Sequence, residues 1–265
     1  MPTMLENTRM PLRLPGLCLF CCVLTSAAAA DLPSTVATVK QSVVGVGSFK
    51  KTRSPAALFT GTGFAVGDGR SVITNAHVVT AGMKGDPLET LGILIGRGEQ
   101  FEFRPARVVA IDREHDLAHL VIEGAPLPAL QLGDGALMAE GRELAFTGFP
   151  LGMVLGLHPA THRALLSAIT PIVMPALGSG KLGAGAIVQL QRARFPIYQL
   201  DATAYPGNSG SPVYDPQTGI VYGVINMVFV KGLKESAITN PSGITYAVPA
   251  IHAREILQRK PAADK

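Results

Sequence analysis

Residues 206–212 read Pro206-Gly207-Asn208-Ser209-Gly210-Ser211-Pro212. Glycines on both sides of the Asn208-Ser209 pair let the backbone turn tightly and let its N–H groups converge on one point, which is what a serine nucleophile needs where an oxyanion develops. A glycine-flanked serine is also an ordinary turn. It gains weight only beside the other parts of an acyl-transfer site, a base within hydrogen-bond reach and a carboxylate behind that base. Upstream, Thr74-Asn75-Ala76-His77-Val78-Val79 sets a histidine at the end of a strand-like run, and Asp116 opens the apolar run Leu117-Ala118-His119-Leu120. Alone, the first reads as a structural histidine and the second as a turn residue. The order His77, Asp116, Ser209 joins all three.

Outward from these points the chain reads as short strands and turns. The 265 residues include 29 glycines and 20 prolines, a composition that favours turn-rich architecture over a helical bundle. Ser42–Phe49 is an apolar strand. Gly61–Val66 and Ser71–Thr74 are two more, joined by Gly67-Asp68-Gly69, residues that tolerate the positive φ of a hairpin turn. Ala76–Val79 fits one helical turn. Leu91–Ile95, Phe101–Ile111, Leu117–Ile122 and Leu144–Thr147 continue the strand pattern, the last leading into a Gly148-Phe149-Pro150 turn. From Pro159 to Ala204 the pattern loosens, and the four glycines of Leu177–Gly185 predict a loop. Strands resume at Ile197–Leu200, Val213–Tyr214 and Ile220–Val230, and Pro249–Gln258 predicts an amphipathic helix with Pro249 at its start and Ile251, Ile256 and Leu257 on its apolar side. About a dozen short strands and a terminal helix is an all-β barrel count.

The first thirty residues differ from the rest. Arg9 and Arg13 precede an apolar stretch, Leu14–Thr25, and small residues from Ser26 to Ala30 follow, the order of a secretory signal peptide with Ala28-x-Ala30 before a cut at Asp31. The apolar stretch, interrupted by Pro15 and Gly16, is short for a membrane span, so no stable membrane insertion is expected once the signal is removed. All three cysteines (Cys18, Cys21, Cys22) lie in this segment, so the mature chain needs no disulfide in the periplasm or outside the cell. Leu19 and Phe20 before Cys21 argue against lipidation. The expected layout is a signal at 1–30, an all-β domain at 31–258 and a polar tail at 259–265. The net charge of +4 is mild, and its arginines (Arg104, Arg107, Arg113, Arg142, Arg192, Arg194) are scattered, which speaks against a nucleic-acid footprint.

The motifs Gly61-Thr62-Gly63-Phe64, Ile73-Thr74-Asn75-Ala76-His77-Val78-Val79, Asp116-Leu117-Ala118, Gly148-Phe149-Pro150-Leu151-Gly152, Gly207-Asn208-Ser209-Gly210 and Ile244-Thr245-Tyr246-Ala247-Val248-Pro249 together resemble the bacterial HtrA-like (Deg) branch of trypsin-like serine proteases, over about Ser34 to Leu257. The resemblance implies an all-β, two-barrel trypsin-like (chymotrypsin) fold with a short C-terminal helix, and a serine endopeptidase needing no cofactor or metal. It implies that Ser209 attacks, His77 moves the proton and Asp116 orients His77, with backbone N–H groups of Gly207, Asn208 and Ser209 as the oxyanion hole. It further implies that Thr203, Ala204 and Tyr205 line the primary pocket, that Val224, Ile225 and Asn226 pair with substrate backbone by strand addition, that partners are protein or peptide substrates, and that homo-oligomers form. Trypsin carries an aspartate six residues before its serine. Thr203 stands there in this chain, which disfavours cleavage after Lys or Arg. Two departures are Ser211, where the family more often has glycine, and the expectation that no PDZ domain follows.

Rival chemistries fail on spacing. An α/β-hydrolase built on Ser209, Asp215 and His252 needs a strand–turn–helix elbow, whereas Pro212-Val213-Tyr214 runs on as a strand. His115 and His119 would share a helix face as metal ligands, but Val108–Ile122 is strand-like. Gly61-Thr62-Gly63 lacks the third glycine and βαβ unit of a nucleotide loop. The rival from another class is a peptide-binding or scaffolding protein on a protease fold, its site gated by the Leu177–Gly185 loop.

Overall fold

In the hairpin predicted from Gly67-Asp68-Gly69, both glycines take left-handed φ, 61° and 78°. Asp68 Oδ1 closes the turn by accepting the N–H groups of Arg70 (2.9 Å) and Ser71 (3.1 Å). The flanking strands are β2 (Ala57–Val66) and β3 (Ser71–Asn75), paired with Phe64 opposite Ile73. The computed structural model describes residues 31–82, 86–98, 100–152, 156–172, 195–227 and 243–259.

Among these, β1 (Val43–Phe49), β2, β3, β6 (Leu117–Ile122), β5 (Gln100–Asp112) and β4 (Thr90–Arg97) close, in that order, into one antiparallel barrel. The second barrel runs β10 (Pro212–Tyr214), β11 (Val221–Ile225), β12 (Ile244–Pro249), β9 (Phe195–Asp201), β8 (Ala160–Ile172) and β7 (Glu143–Gly148). Among the described residues three helices accompany them: α1 (Leu32–Val39), α2 (Ala76–Gly82) and α3 (Ala250–Leu257).

Successive side chains of a strand face opposite sides, and here both sides are apolar. Val72 packs inside the first barrel and Ile73 in the seam between barrels; Ile225 and Phe146 fill the second barrel while Val224 and Ala145 face the seam. That double burial explains why the strands read as continuous apolar runs rather than as alternating ones. Each large side chain so buried contributes about 1.5–3 kcal/mol. The connector between barrels joins the same seam. Leu130 bridges to Val66 of β2 and Leu132 to Val221 of β11, with Leu130 N–H donating to Ala65 O (2.9 Å) and Val221 N–H to Gln131 O (2.8 Å).

The structure departs from the sequence expectations in four places. The loosened stretch after Pro159 contains β8, thirteen residues long. Its middle alternates Arg163 out, Ala164 in, Leu165 out and Leu166 in. Helix α1 was not foreseen, although its signal is present: Asp31 caps it by accepting Ser34 N–H (3.1 Å), with a proline in the first turn. The strand expected over Ile220–Val230 ends at Ile225, where Asn226 turns towards Asp116, and Val228–Val230 lie outside the described residues. The buried side of α3 is Ala250, Ala253 and Ile256; small side chains let the helix sit close against β11 and β12 of the second barrel and β5 and β6 of the first. The signal segment, the Leu177–Gly185 loop and most of the polar tail also lie outside the described residues.

Candidate active site

β3 runs directly into α2, so His77 falls in the helix's first turn, half-buried. The β5–β6 turn ends on Asp116, which is 3% exposed and takes φ 54°, a left-handed value costly for a residue with a side chain. Five hydrogen bonds hold it there. Its carbonyl accepts Ala76 N–H (3.0 Å) and Asn75 Nδ2 (3.0 Å). Its carboxylate Oδ1 accepts His77 N–H (2.9 Å), and Oδ2 accepts His77 Nδ1 (2.5 Å) and Asn226 Nδ2 (2.9 Å). With Nδ1–H given to the carboxylate, the imidazole's Nε2 is left with a lone pair able to take a proton.

The turn that carries Ser209, the candidate nucleophile, is assembled from both barrels. Asn208 N–H donates to Tyr205 O (2.9 Å), closing a turn with Pro206 and Gly207 at its centre and Gly207 at φ 101°, the type II arrangement that demands glycine at that position. The carbonyls on either side of Gly207 N–H are tied down: Pro206 O accepts Leu151 N–H (2.7 Å) and Gly207 O accepts the hydroxyl of Thr62 in β2 (2.7 Å). The N–H groups of Gly207 and Ser209 have no acceptor among the described residues, while that of Asn208 is consumed by Tyr205. The expected oxyanion set therefore shrinks from three donors to two, because Asn208 N–H belongs to the turn.

Ser209 is 5% exposed, and its carbonyl accepts Thr62 N–H (2.8 Å). Gly61, next in β2, lets α2 and the nucleophile turn approach. A Cβ there would collide with Val78 on one side and stand 3.1 Å from Ser209 O on the other. His77 and Ser209 thus flank the same glycine, although no hydrogen bond joins Ser209 Oγ to His77 in this state. Catalytic hydrogen bonds often tighten only when substrate arrives.

Of the proposed pocket residues, Thr203 and Tyr205 are half-buried, and Ala204 is buried with its N–H on Thr245 Oγ1 (3.1 Å). Val224 and Ile225 do not offer an open edge. Val224 lies between Pro212 and Val248, and Ile225 is bonded through N–H to Ser211 O (2.9 Å) and through its carbonyl to Gly210 N–H (2.9 Å). Strand addition at those two residues is corrected: a buried central strand has no free ladder. Asn226 supports Asp116 through its side chain. His115 lies in a turn and His119 in β6, so the helical face of a metal pair never forms. Thr62, Asn75 and the Leu151 N–H are parts of the site that sequence reasoning missed. The glycines flanking Thr62 were their one local signal.

Ser211 Oγ is buried without a partner among the described residues, and a Cβ on Gly148 would collide with it. Gly148→Ala is expected to destabilise the chain by about 1–3 kcal/mol, and Ser211→Gly in the same chain to recover much of that. Denaturant unfolding of the single and double variants checks the coupling.

Two six-stranded antiparallel barrels, with a His–Asp pair on one and a glycine-flanked serine on the other, define the trypsin-like class of fold. The family description "Trypsin-like peptidase domain" matches residues 61–224. This chain belongs to that family. Among curated proteins it is 27% identical over 209 residues to "Serine protease HTRA2, mitochondrial" of Drosophila pseudoobscura pseudoobscura (77% of this chain, 40% of that protein). It is 26% identical over 196 residues to "Probable periplasmic serine endoprotease DegP-like" of Halomonas elongata (74% and 34%). The chain thus spans well under half the length of these relatives. In fold it is similar to the active form of the Rv3671c protease of M. tuberculosis, with a TM-score of 0.62 at 23% identity, covering 87% of this chain and 85% of that one. It is also similar to the HtrA-type protease AlgW with decapeptide, with a TM-score of 0.60 at 21% identity (86% and 67%).

Proposed function

We propose that this chain is a serine endopeptidase of the HtrA type acting on exported proteins through His77, Asp116 and Ser209. The observation that carries the reading is the pair of acceptor-free N–H groups, on Gly207 and Ser209, at the nucleophile, beside a histidine fixed by Asp116. Ser209 Oγ attacks the scissile carbonyl and its proton passes to His77 Nε2. The oxyanion is received by the two N–H groups, each worth about 3 kcal/mol of barrier in such sites. The C–N bond then breaks as His77 protonates the leaving amine, and water, deprotonated by His77, hydrolyses the acyl-enzyme by the same steps reversed in role. Thr203, where trypsin has an acid, supports cleavage after small or medium apolar residues rather than Lys or Arg. Export rests on the charge and apolar order of residues 1–30, and among the described residues no helix is long and apolar enough to cross a membrane.

The test is active-site labelling of the purified mature chain with a fluorophosphonate. Mass spectrometry is expected to find the label on the peptide containing Ser209, and Ser209→Ala to lose both the label and casein cleavage. Unchanged cleavage in that variant overturns the enzyme reading. A wild type labelled only when peptide is added supports the gated, peptide-binding alternative.

A further inference from the structure

The turn that delivers Asp116 is held from outside its own barrel. Asp112, at the end of β5, accepts the N–H groups of Glu114 (3.0 Å) and His115 (3.1 Å) on Oδ1. Its Oδ2 accepts His115 Nδ1 (2.9 Å) and Nη2 of Arg259, just beyond α3 (2.7 Å). The His115 ring lies flat on the ring of His252 in α3, with centroids 3.6 Å apart and planes 13° from parallel. Phe195, the first residue of β9, meets both rings edge-on, at 4.6 and 5.7 Å. His252 Nδ1 is bonded to Glu255 (3.0 Å), and its Nε2 is buried with no partner among the described residues. The residue after His115 is Asp116, at its left-handed φ of 54°. Such a backbone persists only where its surroundings impose it.

We propose that the stacked His115–His252 pair is a positioning element for Asp116, and that protonation of His252 loosens it, so that the aspartate geometry is lost as the pH falls below neutrality. The proposal rests on the protease reading for its effect on activity, but not for its structural part. The charged and titratable groups facing the rings are Asp112 from β5, and Glu255 and Arg259 from α3 and its end; β9 contributes the uncharged Phe195. Burial pushes Asp112 up, but the hydrogen bonds from His115 and the charge of Arg259 outweigh it and hold the carboxyl far below the usual carboxylate range, so it stays ionised throughout.

Protonating His252 would place a positive charge in the buried stack and leave an Nε2–H with no acceptor among the described residues, an unpaired buried donor. Burial holds His252 below the ordinary histidine value of 6.5, with His115 pressing the same way and Glu255 and Asp112 pulling against it. A histidine depressed by packing favours the packed state fully above the ordinary value, and that contribution drains away as the pH falls through it. The clamp is therefore tight at pH 7.5 and weakened at pH 5.5.

His252→Phe keeps a flat ring against His115 and removes the titration. In the mature chain carrying Ser209→Ala, amide exchange of residues 113–117, corrected for intrinsic rates, is expected to rise several-fold from pH 7.5 to 5.5, and not to rise in His252→Phe. In the chain with Ser209 intact, the ratio of kcat at pH 5.5 to kcat at pH 7.5 is expected to be lower with His252 than with Phe, with KM moving little in either. Glu255→Gln, which removes a carboxylate that favours the charged ring, moves the transition to lower pH. Should His252→Phe fail to fold, that shift alone decides. Equal pH dependence of exchange in wild type and both variants overturns the proposal. A pH-dependent exchange step without turnover at any pH supports the clamp and overturns the protease reading instead.

Discussion

Asp116→Asn is expected to lower kcat about 10⁴-fold with little change in KM, the loss this substitution brings where a Ser–His–Asp triad operates. The geometry explains why so conservative a change is so damaging. Three donors converge on two carboxylate oxygens: His77 N–H on Oδ1, and His77 Nδ1 with Asn226 Nδ2 on Oδ2. An asparagine has one acceptor and one donor end. Facing its amide group towards Oδ2's partners sets it against Asn226 and forces His77 into the tautomer that carries its proton on Nε2, where no proton can then be taken from Ser209. Facing it the other way sets donor against donor at His77 N–H. Steady-state kinetics on a peptide substrate, with circular dichroism to show an intact fold, measures the effect; a loss below tenfold removes Asp116 from its role.

Gly207→Ala is expected to cost about 10²–10³-fold in kcat, the value of one oxyanion donor. Gly207 sits at φ 101°, and a Cβ there would overlap the carbonyl of Phe149. Relief requires the Pro206–Gly207 peptide to rotate, which breaks the bond from Leu151 N–H to Pro206 O and turns Gly207 N–H away from the nucleophile. Because the damage is confined to one turn, the unfolding midpoint should move far less than the rate. Fluorophosphonate labelling should slow in parallel with kcat, since both use the same donor. A variant with wild-type labelling would show that the oxyanion is received elsewhere.

How much of this was legible in the chain depended on range. The nucleophile turn was readable because its demands are local: Pro206 and Gly207 prescribe their own dihedrals, and Gly67 and Gly69 do the same for the β2–β3 hairpin. Most strands of the barrels were readable because both faces are buried; β5 is exposed over much of its length, and in β8 the exposed Arg163, Leu165 and Ser167 blurred the apolar signal. What sequence could not supply was partnership across the seam. Asn226 reads as a residue at a strand end, and only the folded chain brings it 2.9 Å from Asp116, 110 positions away. Val224 and Ile225 looked available for a substrate because nothing local says that β10 and β12 already occupy both their edges. Asn208 N–H looked like a third oxyanion donor until the turn took it. The first two misses are long-range pairings and the third is a bond closed within its own turn; each changed what an accurately placed residue is for.

His77 and Asp116 ride on one barrel and Ser209 on the other, so under the proposed triad the offset between the barrels is itself a catalytic distance. Sliding one half past the other by a single strand residue is a shift of about 3.3 Å, larger than the whole hydrogen-bond reach of about 2.6–3.2 Å that a general base can work across. The stretch of connector at Leu130–Leu132 that bridges Val66 on one side and Val221 on the other therefore acts as a gauge block. It sets the spacing of the chemistry from a place where no chemistry occurs, and a change of one residue in its length would be read out as a loss of rate.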